Sequence, residues 1–399
     1  MLSKSLATDI FGCSSWVKSQ VGTVLGITSM SFITLWLEDR GASVPEILQA
    51  FSLLYFVTLI PFVFKRSVVI TSVLLIVSSI GLLFAPYVDS VSGVSVFTLS
   101  LCLFVATVQS ARDLFYVDLM SAYTHLSVKH NLDTPNVVAA TMFLGVLVTS
   151  VCTPLIGILS AGYSEVYFML LGFVGIGLTW GLLVRKDING ESTPLHVETK
   201  ELPISIHWLC SLSTLVNIVT FFVRFFVLPM SLLHMAKTYG LEDSVLVVSG
   251  SLIGVMSIVA FVFKGAVSAD KYRRDMYVAI GLVLLSCFLI GCTPLIGEFG
   301  LTLSAIIFLC GYVLLEVFSK VWTINFIAHL KHQAGLSGVL HESYMAFARY
   351  KAAGGFIGFL VAYALYGYLD VVQLAVLLTL VVAVAVVAIS LSRKDMLSF

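Results

Sequence analysis

Five ionisable side chains stand inside long apolar runs of this sequence, and their spacing points to a shared task. In the run VSVFTLSLCLFVATVQSARDLFYVDL, Gln109, Arg112, Asp113 and Tyr116 fall at i, i+3, i+4 and i+7, so a helix would carry all four on one face. A second run, 299–327, repeats the device with Tyr312, Glu316, Ser319, Lys320 and Thr323. A third, 206–234, carries Thr214, Asn217, Thr220 and Arg224 on one stripe, and the run 19–37 offers Thr23, Met30 and Thr34. Arginine's planar fork suits carboxylates and phosphates. Because Arg112, Arg224 and Lys320 outnumber Asp113 and Glu316, a small organic anion or zwitterion is the expected ligand. An acid at membrane depth that exchanges a proton, Asp113 or Glu316, is the simplest device for coupling to a proton gradient. Tyr116, Tyr312 and Trp322 would equally suit a hydrophobic cation held by the two acids. Glu316 precedes Lys320 by four residues, the favourable order for a local ion pair, whereas the neighbours Arg112 and Asp113 do not face each other squarely and each is expected to need a partner from elsewhere.

Such charges are conspicuous because the chain holds so few. It is 59% hydrophobic and 11% charged, far from the ordinary globular mixture. Twelve apolar runs, each long enough to cross a hydrocarbon core of about 30 Å, fall near 19–37, 45–64, 67–86, 93–118, 136–160, 164–184, 206–234, 244–264, 276–296, 299–327, 343–366 and 370–391. An all-α membrane protein of twelve transmembrane helices is expected. The polar stretch after the sixth run divides it into an N-terminal six-helix bundle (1–184), a linker (185–205) and a C-terminal six-helix bundle (206–399). Net charge is zero, yet Lys and Arg crowd alternate loops: Lys65, Arg66, Arg185, Lys186, Lys271, Arg273 and Arg274 share one side, and the other holds only Arg40 and Lys237. The positive-inside rule then sets both termini and the linker in the cytoplasm. The first run exceeds a signal-peptide core and is read as an uncleaved span.

Several function classes lose support on the same grounds. The sequence contains no G-x-x-x-x-G-K-[ST] loop, so ATP is not the expected energy source. Histidines and seven cysteines show no metal-ligand spacing, and no cofactor, metal or nucleic acid is expected. A membrane-embedded transferase would need catalytic groups in a sizeable loop, and the outer loops span only a few residues. A non-transporting sensor would be expected to carry a large soluble extension.

The two halves also echo each other. Phe62-Val63-Phe64-Lys65 corresponds to Phe261-Val262-Phe263-Lys264 and Arg40-Gly41 to Tyr239-Gly240, both offset by about 199, while His125-Leu126 matches His329-Leu330. Weak self-similarity of this kind is common in secondary transporters. Together with Gly265-x-x-x-x-Asp270-Lys271-x-Arg273-Arg274 after the eighth run, it makes the whole chain resemble the major facilitator superfamily. Relative to that family's loop motif, the Gly-to-Asp gap is one residue longer, the second glycine is missing and the first-half copy is reduced to Lys65-Arg66. The resemblance implies a twelve-helix, two-bundle fold, a central cavity lined by spans one, four, seven and ten, and a cytoplasmic gating role for Gly265, Asp270, Arg273 and Arg274. It implies a monomeric secondary active transporter, proton-coupled, in a bacterial inner membrane, its partners being solute, protons and lipid. In span five, Thr149 to Gly157 resembles an element of the superfamily's drug and metabolite exporters at Pro154 and Gly157, which tilts the expectation from uptake towards export.

Overall fold

A computed structural model describes residues 4–64, 67–92, 94–132, 134–162, 164–184, 201–240, 244–263, 272–296, 301–337 and 339–392. All regular structure among them is helical. A short helix, α1 (Lys4–Gly12), precedes α2 (Ser14–Asp39), α3 (Val44–Val63), α4 (Ser67–Ser92), α5 (Val94–His130), α6 (Thr134–Gly162) and α7 (Ser164–Leu183). After the linker come α8 (Ile204–Phe222), a π turn (Val223–Val227) and α9 (Leu228–Tyr239), which form one continuous rod. Then follow α10 (Val245–Phe263), α11 (Tyr272–Ile296), α12 (Leu301–Ser337), α13 (Leu340–Leu365) and α14 (Val371–Ser392). Among the described residues nine of these helices are long and apolar enough to cross a membrane, and Val245–Val255 is a shorter apolar helix. Three of the expected spans fall outside the nine: α10, α5, which carries Arg112 and Asp113, and α13, which carries Glu342, Arg349 and Lys351.

The helix ends arise from local chemistry. Gly41 and Gly240, paired by the internal repeat, both take left-handed backbone (φ 81° and 67°), which glycine adopts without the steric penalty of a Cβ. Ala42 N–H then reaches the Leu37 carbonyl at 2.9 Å, closing the end of α2. At the start of α3, Glu46 accepts from the Ser43 amide at 2.6 Å, and before α14 the Asp370 and Gln373 side chains cap each other's amides reciprocally.

The helices cluster into two compact units, which do not coincide with the two sequence halves. The first contains α1, α2, α3 from Leu53, α4 to α7, and α10 up to Ile258; the second contains Ser43–Ser52, α8, the π turn, α9, the end of α10, and α11 to α14. Close helix pairs in each unit rest on glycines four apart, which let backbones approach in a lipid environment where apolar burial gives little drive. In the first unit a Cβ on Gly250 would lie 2.7 Å from the Thr153 carbonyl and one on Gly254 2.8 Å from that of Ser150, so α10 lies directly on α6. In the second, Gly354 and Gly358 of α13 lie against the Thr214 and Ile218 carbonyls of α8. Helix α1, not anticipated as an element, buries Leu6 and Ile10. Its Asp9 binds Lys129 at 2.7 Å and His130 at 2.8 Å, at the end of α5.

Candidate functional site

The second unit brings three of the expected residues together. Glu316 on α12, its side chain 1% exposed, accepts a direct hydrogen bond from Arg224 Nη2 through Oε1. Lys320, one turn further along α12, stands 3.6 Å from Oε2. That distance is an ion-pair contact too long for a hydrogen bond. The carboxylate therefore joins two cations whose side chains are each 20% exposed, and the cluster carries one net positive charge when all three groups are ionised. The local pair expected between Glu316 and Lys320 exists, but Arg224, from another helix, is the nearer partner. Tyr312, buried one turn before Glu316, lies within electrostatic range of Glu316 and Arg224, as buried Cys287 of α11 does of Arg224.

The rest of the α8 stripe is spent differently. Thr214, Asn217 and Thr220 all donate to the carbonyl four residues earlier, and Asn217 adds a 3.0 Å bond to Ser213 Oγ. A Cβ on Gly354 would lie 3.1 Å from Asn217 Cβ, so this residue sits in the α8–α13 contact. On α12, Thr323 likewise donates to the Ser319 carbonyl.

In the first unit the α5 stripe packs against α2. Gly22 lies over the Arg112 stem and Gly26 over the Gln109 amide, where a Cβ would meet them at 3.0 Å. Gln109 Nε2 reaches Met30 Sδ at 2.7 Å. Arg112 and Asp113 pair with each other, contrary to the expectation that each needs an outside partner: Nε and Nη2 lie 3.1 and 2.8 Å from the same Oδ1. The long arginine stem lets the guanidinium curl back along the helix to its neighbour, which the angle between Cβ directions does not reveal. Tyr116 stacks edge-on with Tyr123, ring centroids 6.4 Å apart, and the Tyr123 hydroxyl is 3.0 Å from Thr141 Oγ1.

Of the gating motif, Gly265 and Asp270 lie outside the described residues, and Arg273 and Arg274 fall in the first turn of α11. The exporter-like pair in span five has a packing role: Pro154 lies against the Gly254 position, and a Cβ on Gly157 would lie 2.7 Å from the Leu246 carbonyl. Sequence reasoning missed the π turn that holds Arg224. Its signal was present in Pro229, five residues on.

No family model matches the chain, and no curated protein sequence does. Solved structures match nearly all of it. The chain is similar to the human organic anion transporter MFSD10 (TETRAN), at a TM-score of 0.60 and 12% identity over 94% of this chain and 99% of that one. It is similar to the nucleoside transporter NupG, at 0.58 and 10% over 96% and 99%. A bacterial homologue of the iron transporter ferroportin, in its outward-facing state, gives 0.56 and 15% over 95% and 100%. At such identities the likeness is one of fold, and the fold is that of major facilitator superfamily transporters. The chain is a multi-pass integral membrane protein.

Proposed function

We propose that this protein is a secondary active transporter of a small anionic or zwitterionic solute, coupled to protons and working by alternating access. It acts as a monomer in a bacterial inner membrane, with both termini cytoplasmic, and no catalysis is involved. The observation that carries the reading is the excess of cation over acid around Glu316: a carboxylate or phosphate entering there finds Arg224 and Lys320 sharing a single counter-charge. The Arg112–Asp113 pair is a second place where an acid occupies an arginine that a solute could use.

Direction is set by the event that must precede an anion's engaging Arg224. Glu316 already holds the guanidinium, and a proton on Glu316 weakens that hold and removes the charge that repels an incoming anion. Proton and anion then bind together, which favours co-transport and, with an inward proton gradient, uptake. Export was suggested by Pro154 and Gly157, but their packing against α10 carries no information about direction.

A melting screen of the purified protein tests the ligand class, because anything that binds the folded state raises its melting temperature. Sodium salts of small carboxylates and organic phosphates are expected to stabilise wild type and to lose that effect in Arg224→Gln. Stabilisation by organic amines alone would contradict the reading.

A further inference from the structure

Among the described residues, the only π segment is the one that carries Arg224. Its cause is local. Pro229 has no N–H to give the Phe225 carbonyl four residues back, and its ring crowds that carbonyl. The backbone widens instead, and Leu228 N–H bonds to the Val223 carbonyl, a five-residue step. One extra residue in the turn rotates α8 by about 100° relative to α9, compared with an unbroken α-helix. The α8 flank is held. Gly354 and Gly358 fix α8 against α13, and Phe222 packs on Phe226 (5.6 Å) and Phe359 (5.9 Å). With α8 fixed, the widened turn re-aims its own side chains, whose other members, Val223, Phe225, Phe226 and Val227, are buried.

The repeat shows that the fold itself does not require this turn. At the offset of about 199 that relates Gly240 to Gly41, Pro229 corresponds to Met30, and α2 passes that point as a regular α-helix. The irregularity belongs to the half that bears the Arg224–Glu316 contact.

We infer that Pro229 is a positioning residue: it enforces the π turn at Val223–Val227 and thereby aims the Arg224 guanidinium at Glu316. The inference rests on the proposed function only in treating that contact as part of the transport site, and its test uses no solute. Melting of the full-length protein in detergent is compared for wild type, Pro229→Ala, Arg224→Gln and the double variant. If Pro229 acts through Arg224, Pro229→Ala lowers the melting temperature, and the double variant melts no lower than Arg224→Gln alone. The same proline change combined with Gly172→Ala, in the other unit, is additive, as separate sites are. Should Pro229→Ala fail to accumulate, adding Arg224→Gln restores it, because a misplaced buried charge is then removed. Additive loss with Arg224→Gln, an unchanged melting temperature in Pro229→Ala, or a double variant that also fails to accumulate would overturn the inference. A solute screen that finds no anion would leave it standing.

Discussion

Replacing Glu316 with glutamine removes one carboxylate from between two cations and keeps the shape of the side chain. Unit charges about 4 Å apart attract by about 4 kcal/mol at an effective dielectric near 20. The change thus removes two attractions of that order and leaves Arg224 and Lys320 to repel each other. Water reaching the partly exposed cations screens some of this, and the cost of burying the Glu316 charge disappears. The expected net loss is about 3–5 kcal/mol, the range for breaking a buried pair from one side. The geometry also ranks the partners. Arg224→Gln should rank second, since Glu316 keeps Lys320 at 3.6 Å, and Lys320→Met should be mildest, since Arg224 stays in direct contact with Glu316. Adding Lys320→Met to Glu316→Gln should recover part of the loss, because one stranded cation goes. Melting temperature and detergent-extracted yield of these four variants give the order. A Glu316→Gln protein as stable as wild type, or a series in which Lys320→Met is the worst, would refute the reasoning.

Gly358→Ala pushes a Cβ into the Ile218 carbonyl of α8 and should cost about 1–3 kcal/mol by overpacking, whereas Gly281→Ala, with nothing within 4 Å, should be neutral or stabilising; melting curves of the two separate packing from helix propensity. Arg112→Lys keeps the charge but loses the planar fork that would clamp a carboxylate or phosphate through two nitrogens, so it should weaken anion binding several-fold, as read by melting shifts against ligand concentration. The hydrogen bond from Lys129, with His130 beside it, holds the Asp9 carboxyl below its ordinary value. The contribution of Asp9 is thus complete above the unfolded value and fades as pH falls through the lowered folded one. Asp9→Asn should accordingly lower the melting temperature near neutral pH and make no difference in strong acid; a deficit that persists in acid would contradict this.

Hydropathy was enough to locate every helix but the short α1, since a span must satisfy its own backbone in lipid and so appears as an apolar run. The repeat was legible at Gly41 and Gly240 because a left-handed helix end favours one residue type. The ion cluster was legible in part. Spacing placed Glu316 and Lys320 on one face, but the partner that matters most, Arg224, comes from a different helix, and helical periodicity says nothing about neighbours between helices. Spacing did not reveal the local bonds of the α8 stripe: Thr214, Asn217 and Thr220 each donate to their own helix, and Thr214 also to the Tyr350 carbonyl of α13, options that a polar stripe does not distinguish from facing a ligand. The close packing at Gly22 and Gly26, Gly250 and Gly254, and Gly354 and Gly358 was not read from the sequence, because their spacing does not say which helix each would meet. The packing units cut across the sequence halves for the same reason, because α10 is assigned by its contact with α6 and not by its place in the repeat.

The coupling of proton to anion is tested most directly by the sign of a pH change. Wild-type protein in liposomes holding a pH-sensitive dye is exposed to an external anion that stabilises it, with no pH gradient imposed. Co-transport through Glu316 predicts that the lumen acidifies as the anion enters, and that Glu316→Gln still exchanges labelled anion across the membrane without moving protons. A lumen that turns alkaline on anion entry, or protons that still accompany the anion in Glu316→Gln, would contradict the account.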